Sequence, residues 1–421
     1  MLEEGRFYCL DGGFASSLQI FHKENVDNDP LWSCRALKTD EKAVIKTHQA
    51  FLDAGADIIT TNTYQAHHEL FRKHITDFED EQIDPHLLIE KAVSLAEKSC
   101  GKSLVIAGSV GPYGACQGDG SEYTGNYIDH ISRDSLCDWH KDRLKRLTFS
   151  QASVDLIAAE TLPSYIEALA ILDALAEFPG ARLWISFQCK DEAHTAKGEP
   201  IEEAFKAVMN HPEALRVKGF GVNCVKASLV TPILKRLNKV NHWSAWPNND
   251  FFKKVPYVVY PNGGQDWDAL NKKWTGKCDD ILSHIRDWMI LGAKIIGGCC
   301  RVGPEMIGEI KTTILENVYE VSKLKLEMDR KDKRPLDLWE FHEQKLRKPD
   351  YEEHKKRIES AKEFFRDASE DGDANALITA QLEAMMSHEN KQIFEALKTL
   401  ELRQIPKDSE ELEDDSAEIN E

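Results

Sequence analysis

Short apolar segments rich in β-branched residues alternate with stretches of helical periodicity along most of the chain, and this alternation restricts the fold more than any other feature. Eight such segments can be counted, at residues 8–11, 57–62, 104–109, 155–160, 183–189, 219–224, 257–261 and 294–298. Helical stretches separate or follow them, at 40–54, 85–98, 133–152, 164–177, 201–209, 228–240, 280–291 and 304–323. Repeated strand–helix units of this number are typical of an α/β protein built as a (β/α)₈ barrel of the TIM type.

An open, doubly wound sheet is the competing α/β fold. That fold needs fewer strands and usually carries a glycine-rich phosphate-binding loop, which the sequence lacks. We therefore predict a barrel over residues 1–325 of the 421. Charge-rich helical periodicity predicts a helical extension over residues 326–406, and the acidic composition of residues 407–421 predicts a disordered tail.

The balance of charges excludes two classes of partner. With 72 acidic and 53 basic residues the formal net charge is −19, which disfavours binding to nucleic acids and to anionic membranes. The amino-terminal residues show no secretory signal, and ten cysteines without such a signal indicate a reducing compartment. We expect a cytoplasmic protein that acts on small molecules, and the sequence leaves its oligomeric state open.

The segment Gly-Gly-Cys-Cys at residues 297–300 carries the strongest chemical signal. Side chains alternate along a strand, so Cys299 and Cys300 cannot both face inward from a regular strand. The preceding glycines permit unusual φ values, and both thiols could then converge with Cys224, at the end of the sixth strand, on one metal ion. Three thiolates and one open position are typical of catalytic zinc. Two alternatives remain, namely buried unreactive cysteines and a vicinal disulfide or redox switch.

Polar motifs at the ends of the predicted strands add a resemblance to a known family. They are, in order, Asp-Gly-Gly at 11–13, Thr-Asn-Thr-Tyr-Gln-Ala at 61–66, Ala-Gly-Ser-Val-Gly-Pro-Tyr-Gly-Ala at 107–115, Glu-Thr at 160–161, Gly-Val-Asn-Cys at 221–224 and Gly-Gly-Cys-Cys-Arg at 297–301. With these motifs the chain resembles the homocysteine S-methyltransferase family over residues 5–325. The resemblance implies a (β/α)₈ barrel, Zn²⁺ held by Cys224, Cys299 and Cys300, and methyl transfer to the zinc-bound thiolate of L-homocysteine, which yields methionine.

The same resemblance bears on the methyl donor. Residues 118–127 and Tyr-Pro-Asn at 260–262 resemble members that use S-methylmethionine or, less efficiently, S-adenosylmethionine. The betaine-using branch carries aromatic residues just after the motifs of strands two and four, where this chain has Gln65 and Thr161-Leu162. A sulfonium donor is therefore the expectation. The alternatives are a betaine-type enzyme, methylation of selenocysteine or another thiol, and a non-catalytic zinc or thiol sensor on the same barrel.

Substrate contacts can be assigned from chemistry. Glu160 is the candidate for holding the ammonium of homocysteine, and backbone N–H groups around Gly12 and Gly13 are candidates for its carboxylate. Asp11 could orient the ammonium or a water molecule, although strand-end acids often cap helices instead. No group beyond the zinc centre is expected to act as a catalyst.

Other polar and aromatic residues near the motifs receive weaker assignments. We expect Asn223 and Asn262 to brace loops, and the adjacent histidines at 67 and 68 to be surface residues without a role. Four aromatic residues could face a sulfonium, with core packing the simpler role for the last of them: Tyr64, Tyr113, Tyr123 and Trp184.

Overall fold

The computed structural model describes residues 6–75, 84–100, 104–149, 154–241, 254–264, 266–268, 273–275 and 279–331. The predicted tail and all of the predicted extension after residue 331 lie outside these ranges. Within them, no helix is both long enough and apolar enough to cross a membrane.

Eight parallel strands form a single sheet that curls into a barrel. The strands of the barrel are β1 Tyr8–Cys9, β2 Ile58–Thr60, β3 Val105–Val110, β4 Leu156–Leu162, β5 Leu183–Phe187, β6 Val217–Asn223, β7 Tyr257–Tyr260 and β10 Ala293–Ile296. Between β7 and β10, the strands β8 Asp266–Asp268 and β9 Lys273–Thr275 form a separate antiparallel hairpin. Their order is β1-β10-β7-β6-β5-β4-β3-β2, and a parallel bridge between Leu10 and Ile58 joins the two end strands. All eight predicted strands and the predicted barrel are therefore confirmed, while the hairpin was not anticipated.

Helices surround the sheet: α1 Phe14–Phe21, α2 Ala36–Thr39, α3 Glu41–Asp53, α4 His68–His74, α5 Leu87–Cys100, α6 Arg133–Phe149, α7 Tyr165–Leu175, α8 Ile201–Met209, α9 Ala227–Leu237, α10 Leu282–Leu291 and α11 Pro304–Lys331. The predicted helices are confirmed, and α1, α2 and α4 are additional short helices in the first two strand-to-helix connections. Local signals explain α3, where Asp40 caps the amide of Ala43 and Gly55 follows the end with a φ of 97°. Helix α11 runs across residue 325, where we predicted the barrel to end.

Apolar side chains fill two separate regions. A large cluster lies between the helices and the outer face of the sheet, and a small one fills the barrel interior. The interior cluster contains Leu10, Ala107, Ala158, Val258 and Trp184, of which Trp184 is fully buried, as predicted. Because the interior is packed, substrates can reach only the mouth of the barrel, where the carboxyl ends of the strands meet.

Candidate functional site

Three cysteines meet at the mouth of the barrel. Cys224 directly follows β6, and Cys299 and Cys300 lie in the turn that follows β10. Their sulfur atoms all lie within 4.8 Å of one another, so the structure brings the three predicted metal ligands together. The structure joins Cys224 and Cys299 by a disulfide, and the Sγ of Cys300 lies 3.9 Å from that of Cys224. The disulfide is thus not the vicinal pair of Cys299 and Cys300 that the sequence left open.

Unusual backbone conformations occur at one of the cysteines and at two residues near the cysteines, not at the glycines before Cys299. Cys224, Arg301 and Thr161 have φ values of 50°, 64° and 58°, in the left-handed region that side chains rarely adopt. Gly297 and Gly298 do not have positive φ values. Glycine is needed at 298 for another reason: a Cβ there would lie 2.1 Å from Cγ1 of Val302. The expectation that these glycines supply unusual φ angles is therefore wrong. Gly298 is needed because the neighbouring Val302 leaves no room for a side chain.

Backbone hydrogen bonds fix the turn that carries the two adjacent cysteines. The N–H of Gly298 donates to the carbonyl of Asp11 at 3.1 Å, and the N–H of Cys299 donates to the carbonyl of Pro261 at 2.8 Å. The carbonyl of Cys300 accepts from the N–H of Gly263 at 2.8 Å. Loops after two other strands, β1 and β7, therefore hold the turn. Sulfur positions set this rigidly are suited to binding one ion with a defined geometry.

A cavity of about 710 Å³ opens in front of the three cysteines. Its walls come from the loops at the carboxyl ends of the strands, as the barrel predicts. The acidic side chains that line it outnumber the basic ones: Asp11, Asp27, Asp29, Asp119, Glu122 and Glu160 against Lys73. A cavity of this charge favours a cationic ligand.

Glu160 lies at the end of β4 and is 8% exposed. The hydroxyl of Ser109 donates a hydrogen bond to its carboxylate, and the hydroxyl of Tyr260 contributes a second. Burial nevertheless dominates and raises the pKa of Glu160 to about 7. The carboxyl group of Glu160 therefore lies on the cavity wall and is only partly ionised at neutral pH. A cation that binds beside it would favour the ionised form.

Asp11 also lines the cavity, but its carboxylate is already engaged. It accepts hydrogen bonds from the N–H of Thr60 at 2.7 Å and from the hydroxyl of Thr60 at 3.0 Å. Burial raises the pKa of Asp11 well above its ordinary value. The side chain therefore ties the end of β1 to β2, whatever else it contacts.

Gly12 and Gly13 line the cavity where α1 begins. The N–H of Gly13 donates to the carbonyl of Val302 at 2.9 Å. Contrary to our expectation, this N–H is therefore not available to bind the carboxylate of a substrate. The first N–H groups of a helix have no acceptor within it, and Gly13, the cap of α1, provides none from a side chain. Phe14, Ala15 and Ser16 also line the cavity. The candidate anion-binding groups are therefore the N–H of Gly12 and those of the first turn of α1.

A buried polar network supports the site from below. Asn223 accepts a hydrogen bond from the N–H of Thr161 at 2.7 Å and donates one to its hydroxyl at 2.7 Å. Ser186 links Asn223 to the hydroxyl of Tyr260, which Trp184 also contacts. The amide nitrogen of Asn223 lies 3.9 Å from Sγ of Cys299. Asn223 braces the strand ends, as predicted.

Glu122, which sequence reasoning did not identify, lines the same cavity. Its Oε2 is buried and has no hydrogen-bond partner within the described residues. Burial raises the pKa of Glu122 to about 7, with a further contribution from Asp119. An unpaired carboxylate oxygen in an acidic cavity needs an explanation, and a cationic ligand provides one. The sequence signal was its position in the stretch 118–127, which we had linked to the methyl donor.

The aromatic candidates divide into two groups. Tyr64 and Tyr123 line the cavity, together with Trp32, which was not anticipated. Tyr113 does not line it and packs instead against Tyr127 and Trp139. Trp32 stands edge-on to Tyr64, with ring centroids 6.1 Å apart. The cavity therefore offers aromatic surface to a cation.

The interpretation of His67 and His68 as surface residues is wrong. His67 is 2% exposed and stacks on Trp139 with 3.4 Å between ring centroids. His68 is partly buried against the ring of His86. The sequence gives no indication of this, because Trp139 and His86 belong to other helical segments.

Comparison with known proteins identifies the family of the chain. A family model described as homocysteine S-methyltransferase matches residues 8–314. The chain is similar to the betaine-homocysteine S-methyltransferase of Drosophila melanogaster, at 41% identity over 70% of this chain and 89% of the relative. It is also similar to homocysteine S-methyltransferase 2 of Arabidopsis thaliana, at 34% identity over 73% and 93%, and to homocysteine S-methyltransferase of Escherichia coli, at 32% over 74% and 96%.

Solved structures extend the similarity to the fold. The metallated form of the homocysteine methyltransferase MmuM from Escherichia coli matches with a TM-score of 0.59 and 30% sequence identity. This match covers 73% of the chain and 96% of the solved one. The oxidised form of the same enzyme matches with the same values.

Proposed function

The chain belongs to the homocysteine S-methyltransferase family, and on this premise we propose that it moves a methyl group from a sulfonium donor to the thiol of L-homocysteine. The donor is S-methylmethionine or, less efficiently, S-adenosylmethionine, and the product on the acceptor side is methionine. The observation that carries the proposal is the convergence of three cysteine sulfurs at the mouth of one acidic, aromatic-lined cavity.

The donor set of the cysteines fits zinc. Cys224, Cys299 and Cys300 would hold Zn²⁺ as thiolates, after two-electron reduction of the disulfide between the first two. Zinc, when bound, would take up the substrate thiol and keep it as a nucleophilic thiolate at neutral pH. The three negative cysteine ligands keep the bound sulfur electron-rich, which three neutral histidines would not. Solved metallated and oxidised forms of the relative MmuM support both states for this chain.

Methyl transfer needs no further catalytic group from the protein. The carbon–sulfur bond of the donor breaks and its electron pair stays on the donor sulfur, which becomes a neutral thioether. A new bond forms between the methyl carbon and the acceptor sulfur, whose proton has been lost to solvent. The protein's task is to align the two sulfurs and to exclude water.

Two elements would hold the amino-acid part of homocysteine. Glu160 pairs with the ammonium, whose charge lowers the raised pKa of this carboxyl and keeps it ionised. The N–H of Gly12 and those at the start of α1 bind the carboxylate, favoured by the helix dipole. Asp11 keeps β1 and β2 together behind these groups and orients the ammonium from the cavity wall.

The donor would occupy the acidic and aromatic part of the cavity. Trp32, Tyr64 and Tyr123 present ring surface to the sulfonium. The unpaired oxygen of Glu122 pairs with the ammonium that both sulfonium donors carry. Betaine has no N–H group, so it cannot donate a hydrogen bond to this oxygen. Glu122 therefore favours an amino-acid donor.

Betaine is the second candidate donor, because the Drosophila relative at 41% identity is a betaine-homocysteine S-methyltransferase. The test is methionine formation by reduced, zinc-loaded protein given homocysteine with S-methylmethionine, S-adenosylmethionine or betaine. We expect turnover with S-methylmethionine, and Glu122→Gln should raise the KM for that donor about 10-fold or more by removing a charged hydrogen bond. Glu203→Gln, at an exposed acid that pairs with Lys206 outside the cavity, is the control. Turnover with betaine alone would overturn the choice of donor.

A further inference from the structure

A second cluster of metal-binding side chains lies among the helices around the barrel. His68 begins α4, His86 precedes α5 and Asp142 lies in the middle of α6. The Nδ1 atoms of His68 and His86 lie 3.6 Å and 2.5 Å from the same carboxylate oxygen, Oδ2 of Asp142. None of the three residues lines the cavity in front of the cysteines. The cluster is therefore separate from the site described above.

The atoms that face each other in this cluster are buried and unsatisfied. Nδ1 of His68, Nδ1 of His86 and Oδ2 of Asp142 have no hydrogen-bond partner in the described part of the chain, and the contact between His86 and Asp142 is an ion-pair contact only. These three unpaired buried atoms lie within 4.8 Å of one another, and an ion between them accounts for all three together.

We propose that His68, His86 and Asp142 form a second metal site, which binds Zn²⁺ or a related divalent transition ion. Two imidazole nitrogens and one carboxylate oxygen are ligands that such ions accept, and water would complete the coordination. Neighbouring charges are placed to orient the ligands. Nε of Arg146 lies 3.9 Å from the other oxygen of Asp142, and Asp84 lies 3.9 Å from Nε2 of His86.

The position of the site gives it a structural role. An ion there joins the start of α4 and the start of α5 to α6. The opposite part of α4 carries Leu70, Lys73 and His74 to the cavity wall. The ion would therefore fix a helix that forms part of the cavity, without contacting the substrates.

Metal content separates the two sites. Reduced protein, exchanged into excess zinc and then freed of unbound metal, should carry two zinc ions per chain by mass spectrometry. His86→Ala and Asp142→Asn should each carry one zinc ion per chain. Their affinity for the second ion should fall by more than the ~10–100-fold that is typical when a residue that hydrogen-bonds a metal ligand is removed. Cys299→Ala should also carry one. His194→Ala is the control, because the imidazole of His194 hydrogen-bonds to Asp191 within its own loop and belongs to neither site, so both ions should stay in place.

Cobalt substitution identifies which ion remains. Cobalt bound by thiolates absorbs strongly through sulfur-to-metal charge transfer, whereas cobalt bound by histidine and carboxylate lacks this band. Asp142→Asn keeps the shape of the side chain and should retain the band, and Cys299→Ala should lose it while still binding one ion. A single ion that shows the thiolate band in reduced wild-type protein, or two ions in folded Asp142→Asn, would overturn the second site.

Discussion

The side chain of Asn223 holds Thr161 by two hydrogen bonds of 2.7 Å, one to its N–H and one to its hydroxyl. Thr161 has a φ of 58°, and Asn223 immediately precedes Cys224, whose φ is 50°. One amide thus stabilises strained backbone at the ends of both β4 and β6. This contact links the residue beside Glu160 to a cysteine of the candidate metal centre.

Removing this amide should weaken both the fold and the site. Asn223→Ala removes the partner of the buried N–H of Thr161 and one partner of its hydroxyl, and we expect the free energy of unfolding to fall by about 2–4 kcal/mol. Urea denaturation measures this change. Asn262→Ala is the matched control, because among the described residues its side-chain amide accepts one hydrogen bond, from the N–H of Gly264 in the same turn, and its loss should cost about 1 kcal/mol or less. Equal losses in both variants would contradict the bracing role of Asn223.

The raised pKa of Glu160 predicts how activity depends on pH. Below its pKa of about 7 the carboxyl is neutral and cannot pair with an ammonium, and above it the carboxylate can. The value of kcat/KM for homocysteine should therefore rise as pH increases through about 7. Glu160→Gln should remove this step and lower kcat/KM about 10- to 100-fold, as loss of a charged hydrogen bond does. An unchanged profile in Glu160→Gln would assign the step to another group.

The disulfide between Cys224 and Cys299 predicts that metal binding requires reduction. Oxidised protein should hold no zinc at the cysteines, and reduction should expose two more titratable thiols per chain and restore binding. Cys299→Ala should lose this zinc under all conditions and lower kcat/KM more than about 100-fold, because a catalytic ion contributes several kcal/mol. Cys189→Ala, at a buried cysteine outside the cavity, should keep the zinc. Full activity of Cys299→Ala would contradict the assignment of a catalytic zinc ion to the three cysteines.

Close packing at Gly12 predicts a site-specific loss. A Cβ at this position would lie 2.1 Å from the carbonyl oxygen of Val302, which is backbone and cannot rotate away. We expect Gly12→Ala to reduce stability by about 1–3 kcal/mol through overpacking and to weaken zinc binding. Gly303→Ala is the control, since a Cβ there meets no atom within 4 Å. Thermal melting and zinc titration of the two variants measure both effects.

The barrel and the convergence of the three cysteines could be predicted from the sequence, because both follow from the local pattern of strands and helices. Apolar alternation marks each strand, and the strand order of a closed barrel then brings Cys224 close to Cys299 and Cys300 without further information. The role of Gly297 and Gly298 was wrong, since their contacts with Leu10 and Val302 exist only after folding.

Contacts between distant segments were beyond the sequence. Whether the N–H of Gly13 is free depends on Val302, and the state of Asp11 depends on Thr60. The burial of Oε2 of Glu122 depends on how its loop folds over the cavity. His68 was misinterpreted for the same reason, because its partners come from two other helical segments.

The turn that carries Cys299 and Cys300 lies where β10, the last strand of the barrel along the chain, meets β1, the first. The last strand reaches the first through the bond from Gly298 to Asp11, and Gly13 returns a second bond to Val302. The positions of the metal-binding cysteines and the contact between β10 and β1 therefore depend on the same hydrogen bonds. Zinc affinity at the cysteines should fall in a variant that weakens these bonds, even where spectroscopic and unfolding measurements still report a folded protein.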